Sequence, residues 1–162
     1  MPFFYTMKKK STLLVLNILL TLGLLIPVSC LEVTAEGHRE SMFPFIEGET
    51  FSIRWEHSVE KEDWEEMFKV EKGTIGLTGT RFKTFGAGVP NDAGEDTYLK
   101  NGWVHMTGIN QAVGKDMTVR SGPSTDHRFL LKKYEIDFRP QTAYRISVVR
   151  EPLLNAIIEK LR

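Results

Sequence analysis

From Thr50 the chain alternates. Phe51, Ile53, Trp55, His57 and Val59 take one phase, and Ser52, Arg54, Glu56, Ser58 and Glu60 take the other. A period of two over this length predicts a half-buried β-strand. Glu66, Phe68 and Val70 continue the theme, Glu71-Lys72-Gly73 predicts a turn, and residues 74–85 predict a second long strand. Ile75 and Leu77 fall on the odd phase but Phe82 on the even, with Gly76 and Gly79 between them, so a bulge or bend is expected there. Residues 86–100 mix glycine, proline and acids and read as a long loop. Further strands are expected over 103–109, 117–120, 127–132 and 144–149.

The two ends follow other patterns. Residues 13–28 are apolar except for Asn17, Thr21, Gly23 and Pro27, and no charge occurs between Lys10 and Glu32. A basic start (Lys8, Lys9, Lys10), an apolar run and then small residues form the layout of an export signal. Sixteen helical residues span only about 24 Å at ~1.5 Å each, short of the roughly 30 Å hydrocarbon core. A cleaved signal or a short uncleaved anchor is therefore expected over 1–29, with the lysines left in the cytoplasm and the rest exported. Met7 opens a cleaner signal than Met1. The run ends Ile26-Pro27-Val28-Ser29-Cys30. A small residue before the single cysteine resembles the end of a bacterial lipoprotein signal, which makes Cys30 the lipidation candidate, although Pro27 stands where that pattern usually has Leu. Lipidation, an uncleaved anchor and free secretion stay open. Residues 30–49 are polar at their start and read as a tether. After Pro152, residues Leu153, Leu154, Ile157, Ile158 and Leu161 line one face of a helix over 151–162, packed on the sheet or docked to a partner or membrane. The fold class is mainly β: a small antiparallel β-sandwich or barrel over 50–150, one short C-terminal helix, and a signal or anchor segment in front.

Composition narrows function more than fold. The chain has 162 residues, 21 Lys+Arg and 21 Asp+Glu, and so no net charge. Taking away residues 1–29 removes three lysines and no acid, leaving the exported part at −3. An acidic domain lacks the basic face that nucleic acid requires. One cysteine excludes an internal disulfide and any multi-cysteine zinc site.

Three motifs could carry chemistry. His57-Ser58-Val59-Glu60 holds the ingredients of nucleophilic catalysis, but neighbours on a strand face opposite ways. His57 then belongs with the core phase, and Ser58 and Glu60 join Arg54 and Glu56 on a mixed-charge face. His57, His105 and His127 show no metal-ligand spacing and His38 lies in the tether, so no metal is expected. Five acids fall within residues 60–66 without the alternating ligands and central glycine of a calcium loop. Gly86-Ala87-Gly88-Val89-Pro90 is not followed by Lys-Ser/Thr, so it is no phosphate loop. It is either a tight turn or a set of backbone donors offered to a ligand.

Trp55, His57-Ser58-Val59-Glu60-Lys61, Trp64-Glu65-Glu66, Phe68, Gly86-Ala87-Gly88, Asn101-Gly102-Trp103 and Thr125-x-His127 occur in this order. Together they resemble the bacterial family catalogued as domain of unknown function 1850, over roughly residues 50–140. The resemblance implies an exported protein of the kind commonly encoded beside tripartite ATP-independent periplasmic (TRAP) transporters of the TAXI type. It implies a non-enzymatic accessory role, with a solute receptor or permease as partner, no cofactor and no catalytic residue. The positions it marks are Trp55, His57, Ser58, Glu60, Trp64, Gly86, Gly88 and His127, with Pro90 closing the glycine loop. Two further readings stand beside it: a small-ligand module for organic or amino acids built on Gly86–Pro90 with Ser58 or Glu60, and a hydrolase using His57 and Ser58.

Overall fold

The computed structural model describes residues 3–86, 88 and 93–160. Helix α1 (Phe3–Leu24) leads into β1 (Pro27–Ala35), β2 (His38–Pro44), β3 (Thr50–Glu56), β4 (Asp63–Glu71) and β5 (Thr74–Phe82). Then come β6 (Asp96–Lys100), β7 (Trp103–Gly114), β8 (Asp116–Arg120), β9 (Arg128–Leu131), β10 (Tyr134–Asp137), β11 (Ala143–Pro152) and helix α2 (Leu153–Lys160). The strands form two antiparallel sheets, one ordered β2-β1-β11-β8 and the other β10-β9-β3-β4-β5-β7-β6.

The sheets pack face to face. Leu31, Val33, Ala35, Tyr144 and Ile146 from the small sheet meet Phe51, Ile53, Phe68, Val70, Ile75, Phe129 and Leu131 from the large one. Each set alternates along its strand with outward residues, as two-layer packing requires. The expected sandwich with a short terminal helix is therefore present. The far side of the small sheet is sealed by α2, whose Ala156 is buried with Cys30 and Met42.

Residues 30–49 are not a tether. Leu31, Val33 and Ala35 alternate with Glu32 and Thr34, and the charges that made this stretch look polar sit outward, where Arg39 pairs with Glu32 and Glu151. The β domain accordingly begins at Pro27, not at residue 50, and β11 extends through Pro152 before α2 starts. Cys30 lies inside that domain and is fully buried. Burial raises its thiol pKa, with Glu151 adding to the effect.

Strand β3 stops at Glu56, four residues sooner than the alternation suggests. A turn closes there: Lys61 N–H donates to His57 C=O at 2.9 Å and His57 N–H to Glu62 C=O at 2.8 Å. Lys61 adopts a left-handed φ of 56°. Val59, although in phase with the core residues, is 67% exposed. The phase change in β5 is a real irregularity, with register shifts against β7 between Ile75 and Gly76 and between Leu77 and Gly79. Residues 96–100, expected as loop, form the edge strand β6. It is exposed at every position, so it has no buried phase to read. Its hairpin to β7 turns at Asn101 and Gly102, both left-handed, the geometry that an Asn-Gly turn supplies.

Candidate functional site

Directly paired residues share a face of a sheet, so the register places a row of rings at one end of the large sheet, on its inner face. Trp55 pairs with Trp64 and Trp64 with Phe82. The rings follow: His127 stacks on Trp55 at 5.6 Å, Trp55 on Trp64 at 5.4 Å, and Trp64 meets Phe82 at 5.6 Å. Phe85 closes on Phe82 edge to face, and His57 tilts over Trp64 at 5.5 Å. Both histidines and both tryptophans are half-buried.

Trp64 Nε1, His127 Nδ1 and His57 Nδ1 are held. Trp64 Nε1–H donates to Thr80 Oγ1 at 2.7 Å, and the Thr80 hydroxyl donates to Glu65 C=O at 3.1 Å. Thr125 Oγ1 accepts from Gly122 N–H at 2.9 Å and lies 2.7 Å from His127 Nδ1. Burial lowers the His127 pKa. The neutral ring fits Nδ1 as acceptor of the Thr125 hydroxyl, which leaves Nε2–H as a donor. His57 Nδ1 accepts the Glu60 N–H at 3.3 Å and so caps its own turn.

The motif residues come together in part. Ser58 and Glu60 do not share a strand face with Arg54 and Glu56; they sit on the His57–Lys61 turn and are exposed. Glu60 reaches the glycine loop instead. A Cβ added to Gly86 would lie 2.3 Å from Glu60 Oε1 and 2.4 Å from its Cδ. Glycine at 86 is therefore what lets this carboxylate lie against the loop backbone. Gly88 carries a left-handed φ of 80°. Pro90, with Ala87 and Val89, lies outside the described residues. Among the described residues no three His, Cys, Asp or Glu side chains are grouped to hold a metal ion.

Two features were missed in the sequence. Glu66 faces inward, opposite Ile53 on β3 and Thr80 on β5, and Thr80 in turn pairs with Met106. A carboxylate and a hydroxyl thus interrupt the apolar face between the core cluster holding Ile53 and the smaller one holding Met106. Burial raises the Glu66 pKa, and among the described residues no donor reaches its carboxylate. On the opposite face Glu65 is buried and accepts four N–H bonds on Oε2, at 2.6–2.9 Å from Arg54 and 2.7–3.2 Å from Arg81. Burial pushes its pKa up, but hydrogen bonds from Arg81, Ser52 and Arg54 outweigh that, and the net direction is down. Arg81 lies over Trp103 at 4.5 Å and Lys83 at 4.1 Å.

The family model for the domain of unknown function DUF1850 matches residues 51–138, more than half of the chain. The chain belongs to the DUF1850 family. The match takes in β3 through β10, and so all seven strands of the large sheet with the aromatic row and both glutamates. Three strands of the small sheet, β1, β2 and β11, lie outside it. No curated protein and no solved structure matches this DUF1850 chain.

Proposed function

We propose that this DUF1850 protein is a non-enzymatic, extracytoplasmic accessory protein of a TAXI-type transporter, working through contacts with the solute receptor or permease. The family resemblance motivates the transporter, and the basic-then-apolar start motivates export. The observation that carries a recognition role is the His127–Trp55–Trp64–Phe82 row. Trp64 Nε1 and His127 Nδ1 are engaged in structural hydrogen bonds, while the rings of His127, Trp55 and Trp64 stay half-exposed beside buried Phe82. Half-exposed aromatics on a rigid sheet are the residues that anchor protein contacts. In the hydrolase reading, His57 would have to serve as base to Ser58; its Nδ1 is already taken by the Glu60 N–H. Capture of the full chain from gently solubilised membranes of the source cell tests the proposal. Co-purification of a transporter receptor or permease, reduced by Trp55→Ala, is expected; recovery without any transporter component refutes it.

A second reading, a small-ligand module, is favoured by Glu66. A carboxylate half-hidden on the inner face with no donor among the described residues can receive one from a ligand. A thermal-shift panel of organic acids and amino acids tests it. A ligand at ~100 times its Kd adds about 2.7 kcal/mol, and the shift should vanish in Glu66→Gln. A flat response across the panel removes this reading.

A further inference from the structure

Residues 11–22 of helix α1 are exposed. The large apolar side chains of residues 13–22 are 48–63% exposed, and they point around the whole helix, not along one stripe. A helix that is apolar on all sides needs an apolar phase on all sides. α1 touches α2. α2 turns Ala156 inward against Cys30 and Met42 and leaves Leu154, Ile157 and Ile158 38–48% exposed. The two surfaces are joined at their roots, because Leu153 N–H at the start of α2 donates to Ile26 C=O at 3.0 Å, two residues after α1 ends. Lys8, Lys9 and Lys10 precede the apolar run and suit anionic headgroups.

The segment after α1 belongs to the fold. Pro27, Val28 and Ser29 pair with Pro152, Glu151 and Arg150, and Ser29 C=O accepts the Phe45 N–H at 3.1 Å. Cleavage before Cys30 would remove these paired residues. Acylation of the Cys30 sulfur would force an acyl chain into the closed space under α2, where Cys30 is fully buried. We propose that α1 stays on the mature chain, and that α1 and the exposed side of α2 form one lipid-contact surface that seats the domain on an anionic phospholipid bilayer. No helix among the described residues is long and apolar enough to cross a membrane; the proposal requires contact with lipid and not a crossing. It goes beyond the transporter reading and does not depend on it.

Two measurements on the full chain test it. The first is intact mass and N-terminal sequencing of protein extracted from membranes. A chain that retains residues 13–24 is expected; an acylated chain beginning at Cys30, or any chain cleaved between residues 13 and 30, overturns the proposal. The second attaches a polarity-sensitive dye to Ile158→Cys, with Lys100→Cys on the exposed edge strand β6 as control; the wild type, whose one thiol is buried Cys30, should take up no dye. In vesicles of phosphatidylethanolamine and phosphatidylglycerol, quenching by aqueous iodide should fall severalfold at position 158, as its side chain enters the acyl boundary, and stay unchanged at position 100. Equal quenching at the two positions overturns the role of α2. If Ile158→Cys does not fold, the N-terminal measurement still decides whether α1 is retained.

Discussion

Replacing Glu65 by Gln keeps the shape of the side chain and removes its charge, which isolates the electrostatic part of the Arg54–Glu65–Arg81 cluster. The Gln carbonyl can occupy the Oε2 position and keep the same donors at 2.6–3.2 Å. Hydrogen bonds to a charged group contribute ~1.5–3 kcal/mol and neutral ones ~0.5–1.5. The loss is then about 1 kcal/mol for each guanidinium. Arg54 and Arg81 are 29% and 27% exposed, so water screens part of the effect and the lower end of the range applies. Glu65→Gln should cost about 2 kcal/mol at pH 7, which lowers the urea midpoint by roughly 1 M for an m-value of ~1–3 kcal/mol/M. The pH dependence provides the sharper check. The folded-state pKa of Glu65 is depressed, so its contribution is complete above the ordinary Glu value of ~4.3 and is lost as pH falls through the folded value. The gap between wild type and Glu65→Gln should be full at pH 7 and close in acid. Urea unfolding followed by tryptophan fluorescence at both pH values reads it. Equal stability at pH 7, or a gap that persists in acid, refutes the argument.

Thr80→Val keeps the side-chain shape and removes the hydroxyl that accepts the Trp64 Nε1–H, leaving that donor unmet, so urea unfolding should show a loss of about 1–3 kcal/mol; no loss would contradict the role given to this bond. Burial lowers the His127 pKa, so its ring should titrate by NMR below the ordinary ~6.5. Because the unfolded chain then binds the proton more readily, stability should rise with pH from the folded value up to the unfolded one. Titration at or above the ordinary value contradicts the burial argument. A fragment spanning residues 51–138 carries β3 to β10 but lacks β1, β2 and β11, which leaves Phe51, Phe68 and Phe129 without their facing layer. It should show non-cooperative unfolding and fast amide exchange; a cooperative transition would contradict the role given to the flanking strands.

What was legible in the sequence follows from what alternation can report. Phe51, Ile53, Trp55, Phe68 and Val70 face the core because a half-buried strand writes its period into the residues themselves. The same rule misled at Val59: period two ran on past Glu56, while the Lys61–His57 backbone bond had already turned the chain. It gave nothing for β6, where both phases face solvent. In β1 the period is present in Leu31, Val33 and Ala35, but Glu32 and the neighbouring charges up to Arg39 on β2 give the stretch a polar composition that masks it. The candidate site was harder for a different reason. Trp55, His57, Trp64 and His127 could be singled out by type, but their assembly into one row depends on β3 pairing with both β4 and β9, and register over such separations is not encoded locally. Glu65 and Glu66 show this best. They are adjacent and chemically identical, and on sequence they belonged to one acidic run. The pleat sends Glu65 to two guanidiniums and Glu66 to the inner face. One pKa is driven down and the other up, one residue is structural and the other is free to receive a donor. Both lie between β3 and β5, so the difference comes from the face of the sheet each takes and from the residues that the register sets beside it.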